Sequence, residues 1–501
     1  MSPQATEPAG VPRARMMLQR AHWAATAFAA YDPQRTRRIV EAAAEAAYQN
    51  AQRYAEWAVE ETGMGVIEHK WIKNEACSRG LVDWYAGHDY VSARIDADAR
   101  IVELPRPAGV VLALTPSTNP IATVFFKVLL ALMTRNAVVV SPHPMAREVS
   151  ADAVHTLAAA AVAAGAPDGC VQVVEEPTIP LIEALMSDPT TDVILATGGV
   201  AVVRAAYRSG NPAIGVGPGN VPVLVDHTAD LAAAARRLAD SKAFDNSILC
   251  TNESCVIVEE PIAADFEREL GRNGAQVLNE ADTAAVRDAL YPEGRISLEL
   301  VGKNAQALAE AAGIRVPAQT RVLVAPFPLV VPEEPLAREK LFPLLGLVRV
   351  PDARRGIDAA LAMLRIGGAG HSAVIHSNDP RTIMAYGAAV RVLRVAVNVG
   401  GSTGSAGLDT NLAPTMTIGT GFFGRSSLGE NLEPRHLVNW TRIAYTNDPA
   451  EVFGDFAGLE PWSTSAASTT VAVPDFPPDV ALAREEIRRV LLEELRELVR
   501  Q

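Results

Sequence analysis

Cysteine is scarce, with four residues in 501, at Cys77, Cys170, Cys250 and Cys255. That is too few for a disulfide scaffold, so a reducing, cytoplasmic setting is expected. Excess positive charge is missing too: 45 Lys and Arg face 58 Asp and Glu, a balance of −13. Bulk charge therefore does not draw the chain to nucleic acid, which needs clustered cations, nor to an anionic membrane surface. No apolar run approaches the roughly 18 residues of a spanning helix. The most apolar stretch, Val110 to Val140, is interrupted by Thr, Ser, Asn, Lys and Arg. The first residues hold no apolar core behind basic residues, so export is not expected. The nine histidines show no ligand spacing, and no metal is expected. There is no G-x-S-x-G nucleophile elbow and no short internal repeat.

What is present is a chain 49% hydrophobic and long enough for two or three domains at roughly 100–200 residues each. Residues 1–12 read as an irregular start, and Ala21 to Glu61 as amphipathic helices broken near Asp32-Pro33. Arg100 to Gly109 reads as a strand stopped by proline. Apolar strands follow at Val110–Leu114, Ala137–Ser141, Cys170–Val174, Val193–Ala196 and Val221–Val225, with helices at Ile121–Met133 and Ala151–Ala164. The alternation resumes after Asp245, with strands at Ser254–Val258, Val322–Ala325, Leu347–Val350 and Ala373–His376. Helices are expected there at Ala263–Asn273, Gly356–Leu364 and near Arg381–Ala389. This is the pattern of parallel βαβ units, hence an α/β fold in two parts with a boundary near 240. A Ser/Thr/Pro-rich linker at 463–478 leads to an amphipathic helix at 479–501, with five Arg against six acids, which suits packing on a protein surface rather than a membrane.

Several residues carry two readings each. Cys250 sits at a polar junction before a strand, where a nucleophile or a structural thiol fits; Cys77, Cys170 and Cys255 read as core. Asn119, between a strand and a helix, is a turn former or N-cap, or an amide donor to a developing oxyanion. Thr197-Gly198-Gly199 opens a helix behind a buried strand, as a tight turn or a pyrophosphate cradle. Gly215-Val-Gly-Pro-Gly-Asn220 lacks the last glycine of a dinucleotide fingerprint. Glu339 reads as a solvated helix residue and His371 as a turn histidine, unless a site claims them.

Taken together, the segments resemble the aldehyde dehydrogenase superfamily, in its CoA-acylating branch, from about Ala21 to Tyr445. The resemblance is carried by Thr115-Pro-Ser-Thr-Asn-Pro120, Thr134-Arg-Asn-Ala137, Ser141-Pro-His-Pro144, Ile194-Leu-Ala-Thr-Gly-Gly199, Pro212-Ala-Ile-Gly-Val-Gly217 and Gly219-Asn220. Further on it is carried by Phe244-Asp-Asn246 before Cys250, Glu339-Lys-Leu-Phe-Pro343, Gly368-Ala-Gly-His371 and Glu430-Asn-Leu-Glu-Pro-Arg-His-Leu437.

The resemblance implies a Rossmann-type NAD-binding domain over 1–240, with the strand near 100–107 in a small oligomerisation element. An α/β catalytic domain over 241–440 and a return segment at 441–462 would follow. It implies Cys250 as nucleophile and Asn119, with the Cys250 amide, as the oxyanion site. Thr197, Gly198, Gly199, Gly217, Glu339, Ser141 and His143 would then bind NAD, with Glu339 on the nicotinamide ribose and Ser141 and His143 at the adenosine end.

Hydrolytic members place a glutamate before the cysteine to activate water; here Gly215 stands at that position. Water needs such a base, whereas a thiol does not. CoA is therefore the expected acyl acceptor, and glycine is expected to leave room for it. The expected reaction oxidises propanal or acetaldehyde to acyl-CoA in a homodimer or homotetramer. Sulfoacetaldehyde, anchored by Arg394 or Arg425, is an alternative substrate, and a hydrolytic enzyme or a silent scaffold subunit are further alternatives. The tethered helix resembles an encapsulation peptide for a bacterial microcompartment shell.

Overall fold

The computed structural model describes residues 10–459. The expected linker at 463–478 and helix at 479–501 lie outside the described residues.

The opening helix, Val11–Phe28, starts inside the stretch expected to be irregular, with Pro12 in its first turn, where a missing N–H costs nothing. The next helix, Pro33–Gln49, begins where Asp32-Pro33 required a break: the Asp32 carboxylate accepts from the Arg35 amide at 2.7 Å. A second break at Asn50, before Ala51–Thr62, interrupts what periodicity presented as one run. The helix Ile67–Ala76 follows.

The first sheet has five parallel strands in the order Val171–Val173, Ala137–Ser141, Val110–Leu114, Val193–Thr197, Ala213–Val216. The chain moves outward through three of these strands, then returns to build on the other side of Val110–Leu114. The reversal opens a crevice at the carboxyl ends of Val110–Leu114 and Val193–Thr197, where α/β sheets receive ligands. Register aligns those ends, Leu114 lying opposite both Ser141 and Ala196. The buried Lys127 Nζ ties them by donating to the carbonyls of Leu114 at 2.7 Å and Leu195 at 2.8 Å. The helix Pro120–Met133, buried on nearly every face, runs back beneath this edge.

The second sheet has seven parallel strands, ordered Ala275–Val277, Val322–Pro326, Leu344–Val350, Glu253–Glu259, Val221–Val225, Ala373–His376, Val395–Val397. Val221–Val225 belongs here, so the chain passes from one sheet to the other between Val216 and Val221, ahead of the boundary expected near 240. The helix Leu231–Ala243 follows a strand of the second sheet. Ala213–Val216, which takes in the first two residues of the glycine-rich run Gly215–Asn220, is the edge strand of the first sheet.

The strand Ile101–Pro107 joins Arg94–Asp96 and Val438–Ala444 in a separate antiparallel three-stranded sheet. Its prolines, Pro105 and Pro107, lie beyond the stretch paired with Arg94–Asp96, where the strand has a partner on one side only. Among the described residues no helix is long and apolar enough to cross a membrane.

Candidate active site

Three adjacent strands of the second sheet begin close together: Val221–Val225, Glu253–Glu259 and Leu344–Val350. Gly219, Cys250 and Glu339 each lie just before one of them and therefore meet. The Gly219 amide donates to Glu339 Oε1 at 2.8 Å. A Cβ on Gly219 would stand 1.9 Å from the Cys250 carbonyl oxygen and 3.3 Å from Glu339 Oε1, so no larger residue fits without displacing the cysteine. Glu339 is thus drawn inward rather than lying on a solvated helix face.

Cys250 is the partly accessible member of four free cysteines; Cys77, Cys170 and Cys255 are buried, as their apolar surroundings suggested. Its loop is fixed from below. Lys242 Nζ donates to Asn252 Oδ1 at 2.6 Å and to the Glu253 carbonyl at 2.7 Å. Asn252 Nδ2 returns to the carbonyls of Ser247 and Leu249, and Thr251 Oγ1 donates to Ser402 O at 2.7 Å. Ahead of the cysteine, Asp245, Asn246 and Ser247 have φ of 48°, 51° and 62°. Left-handed conformations cost L-residues about 1–2 kcal/mol each, and Asp and Asn bear this best. Here the turn is held by Asn246 Nδ2 on Gly302 O at 2.8 Å and Ser247 Oγ on Lys242 O. Burial and the Glu339 charge push the Cys250 thiol up to about 12, against a downward pull from Arg394. Burial raises the Glu339 carboxyl to about 7.

Asn119 comes to this loop from the first sheet. It stands at the N-cap of Pro120–Met133, yet its side chain makes no capping bond. Oδ1 instead accepts from Lys73 Nζ, and Nδ2 lies 3.4 Å from Ile248 O, two residues before the cysteine. The side chain therefore does not cap the helix, although Asn119 stands at its N-cap position. Lys73 also pairs with Asp245 Oδ2, which Lys70 shares at 3.3 Å. The second Asp245 oxygen accepts from the Val66 amide at 2.7 Å, and the Asp245 amide donates to His69 Nδ1 at 2.9 Å. Burial brings Lys70 down to about 8. Sequence reading missed Lys70, Lys73, Asp245, Lys242 and Asn252 as site-builders. The one available signal was the run Asp-Asn-Ser, the residue types a left-handed turn prefers.

The remaining candidates lie along the carboxyl edge of the first sheet. Thr197 ends its strand, with Oγ1 3.2 Å from Thr417 Oγ1. The following helix, Val200–Arg208, starts at Gly199 with no side-chain cap, leaving its first N–H groups free of one. Beside Gly199 and Gly217 nothing lies within 4 Å of a built Cβ, and beside Gly198 only Val202 does, at 3.8 Å. That open ground at an uncapped helix start fits a pyrophosphate. Ser141 is buried at its strand end, its carbonyl accepting from the Thr115 amide at 3.1 Å. His143 is exposed, and its Nδ1 accepts from the Met145 amide at 3.2 Å. Next to it a cavity of about 290 Å³ is lined by Pro144, Arg147, Glu176, Pro177 and Thr178.

Two expectations change. Gly215 leaves no room for an incoming thiol: a Cβ there would lie 2.6 Å from Val203 Cγ1 and 2.8 Å from Tyr207 Cε2. Its carbonyl accepts from Ser426 Oγ at 2.7 Å and its amide donates to Tyr207 OH at 2.9 Å, so the position is packed strand. Arg394 is buried and already committed, donating to Asn431 Oδ1 at 2.5 Å, His371 O at 2.8 Å and Gly419 O at 2.5 Å, whereas Arg425 is exposed. His371 is fully buried, its Nδ1 2.9 Å from Ser372 Oγ, and burial lowers it to about 3. Among the described residues, one cluster, Glu430, Glu433 and His436, has metal-like spacing. Arg435 pairs with both acids, and His436 lies 2.8 Å from Glu430.

The sequence model described as "Aldehyde dehydrogenase family" matches residues 5–410. The chain is 35% identical over 434 residues to the bifunctional aldehyde-alcohol dehydrogenase AdhE of Escherichia coli, covering 85% of this chain and 49% of that protein. The chain thus spans about half the length of the aldehyde-alcohol dehydrogenases it matches. It is 35% identical over 443 residues to the acetylating succinate-semialdehyde dehydrogenase of Clostridium kluyveri, covering 87% of this chain and 96% of that one. Among solved structures it is similar to an acetylating aldehyde dehydrogenase from Geobacillus thermoglucosidasius (37% identity, TM-score 0.86, covering 87% and 97% of the two chains). It is similar also to Rhodopseudomonas palustris propionaldehyde dehydrogenase with bound propionyl-CoA (29%, TM-score 0.78, 86% and 94%). A third is a propionaldehyde dehydrogenase from the Clostridium phytofermentans fucose utilisation bacterial microcompartment (27%, TM-score 0.77, 86% and 97%).

Proposed function

The chain belongs to the aldehyde dehydrogenase family, and on that premise we propose that it is a CoA-acylating member. Its reaction converts a short-chain aldehyde such as propanal or acetaldehyde, CoA and NAD⁺ to acyl-CoA, NADH and a proton. The observation that carries the reading is the Asn119 amide on the cysteine loop, its Nδ2 3.4 Å from Ile248 O two residues before Cys250, with Gly215 packed against Val203 and Tyr207 where hydrolytic relatives carry the glutamate that activates water.

In this reading the Cys250 thiolate adds to the aldehyde carbon, and the oxygen takes the electron pair. Asn119 Nδ2 and the Cys250 amide hold that oxyanion, and such donors are worth about 10²–10³ in rate each. NAD⁺, when bound, supplies the hydride acceptor. Thr197, Gly198, Gly199 and Gly217 would cradle its phosphates and Glu339 its nicotinamide ribose, with Ser141 and His143 at the adenosine end. The CoA thiol then attacks the Cys250 thioester, forming the acyl–CoA bond and returning Cys250 as thiolate. A thiol nucleophile needs no strong base, which suits a site without one. Arg394 is occupied by Asn431 and three carbonyls, so an anchor for a sulfonated aldehyde, the alternative substrate, falls to the exposed Arg425.

The test is NADH formation from propanal with and without CoA. Sustained turnover only with CoA supports the reading; equal turnover without it makes the enzyme hydrolytic. We assign subunit contacts to the three-stranded sheet, whose edge strand Arg94–Asp96 is fully exposed; light scattering distinguishes dimer, tetramer and monomer. The microcompartment relative supports reading 479–501 as an encapsulation peptide inside a cytoplasmic shell. Deleting it should abolish co-assembly with shell proteins and leave turnover intact.

A further inference from the structure

An asparagine amide can turn either end to a reaction site: its oxygen accepts, its nitrogen donates. An oxyanion is stabilised only by the nitrogen, so something must set the amide's direction. Asn119 is free of the capping bond its position offers, and its own helix does not fix it. Lys73 Nζ, a cation with three donors and no acceptor, can meet only the oxygen end, while the nitrogen end has only longer contacts, to Thr118 Oγ1 at 3.3 Å and Ile248 O at 3.4 Å.

Lys73 is buried on the helix Ile67–Ala76 and is held in turn by Asp245. Asp245 opens the left-handed turn that leads to Cys250 five residues later. Its other oxygen is occupied by the Val66 amide at 2.7 Å. One ion pair therefore joins the nucleophile's loop to the oxyanion donor's amide, and its Asp245 end is fixed by the Val66 backbone.

We propose that Lys73 is a positioning residue for the reaction: it fixes Asn119 with Nδ2 toward Cys250 and polarises that amide, while Asp245 keeps this setting in step with the cysteine loop. The inference rests on the roles given to Cys250 and Asn119 above. The plain alternative is a buried ion pair that only holds the helix.

The experiment uses the full chain and one turnover: the NADH burst from propanal and saturating NAD⁺ without CoA, beside alkylation of Cys250 by iodoacetamide, which makes no oxyanion. Lys73→Met is expected to slow the burst at least tenfold while alkylation changes less than threefold. In the double variant with Asn119→Ala, the burst is expected to be no slower than in Asn119→Ala alone. Lys73→Gln, a neutral donor of similar reach, is expected to lie between wild type and Lys73→Met, and carries the test if the methionine variant does not fold. A burst within twofold of wild type, additive losses, an equal loss of alkylation, or failure of both variants to fold would assign Lys73 to the scaffold and overturn the inference. A wild-type chain with no burst at all instead ends the proposed function itself.

Discussion

The Gly219 amide donates to Glu339 Oε1 at 2.8 Å, while the space a Gly219 side chain would need is filled by the Cys250 carbonyl. One glycine thus spaces the cysteine from the carboxylate. Gly219→Ala puts a methyl 1.9 Å from that carbonyl and must move the nucleophile's loop. A 1 Å displacement at a reacting group can cost about 10²-fold. We expect kcat to fall at least tenfold and cofactor binding to weaken, since the same methyl stands 3.3 Å from Glu339 Oε1, with far-ultraviolet circular dichroism close to wild type. Steady-state kinetics with fluorescence titration of NADH checks this.

The same closeness sets a pH dependence. Burial and then the Glu339 charge raise the Cys250 thiol to about 12. The thiolate fraction, and with it alkylation by iodoacetamide, should climb without a plateau from pH 6 to 9, more shallowly around 7, where Glu339 gains its charge, and about tenfold per pH unit above 8. Glu339→Gln removes a negative neighbour, so the thiol pKa falls and alkylation at pH 8 speeds up. The same variant should raise the KM for NAD⁺. Slower alkylation in Glu339→Gln would show that the carboxylate aids the thiol instead of restraining it.

The strands were legible because apolar β-branched runs buried on both faces read the same locally as they do in the fold. Val110–Leu114, Ala137–Ser141 and Val221–Val225 have the expected bounds. The sheet to which Val221–Val225 belongs was not legible, since parallel partners lie far apart in sequence and nothing local names them. The glycine edge strand Ala213–Val216 was hidden for a different reason. Its burial comes from Val203, Tyr207 and Ser426, distant residues that fill the place of a side chain it lacks. Lys73 was invisible for the converse reason. A lysine on an amphipathic helix is ordinarily solvated, and only the arrival of Asp245, 172 positions along, makes it a core residue.

His376 offers a test of stability away from the site. It is buried at the end of its strand, and neither ring nitrogen has a hydrogen-bond partner among the described residues. Burial lowers its pKa to about 4 from an ordinary 6.5. The folded state keeps it neutral, while the unfolded chain takes up a proton below pH 6.5. Its contribution is whole above 6.5 and is lost as pH falls toward 4, at about tenfold in the folding constant per pH unit. His371, lowered to about 3, adds in the same direction. We expect His376→Leu to shrink the fall in Tm between pH 7 and pH 4.5, with Tm at pH 7 no lower than wild type. Differential scanning fluorimetry across that range decides; an unchanged slope assigns the acid sensitivity elsewhere.

Gly215 gives the sharpest contrast between a sequence-level and a structural argument. A glutamate installed there is the change that sequence comparison suggests for making a hydrolytic enzyme. In the structure even its Cβ meets Val203 and Tyr207 inside 3 Å, and the strand's carbonyl is already bound by Ser426. Gly215→Ala should therefore cost about 1–3 kcal/mol, as overpacking of a filled core does. Gly215→Glu adds a buried, unpaired carboxylate to that cost and is expected to lower Tm further still. It should yield no sustained NADH formation without CoA, because the carboxylate cannot reach the thioester from a packed strand. A folded Gly215→Glu variant that turns over without CoA would show that the strand edge yields, and that acyl transfer to CoA is set by one missing base rather than by the packing of Tyr207 against the sheet.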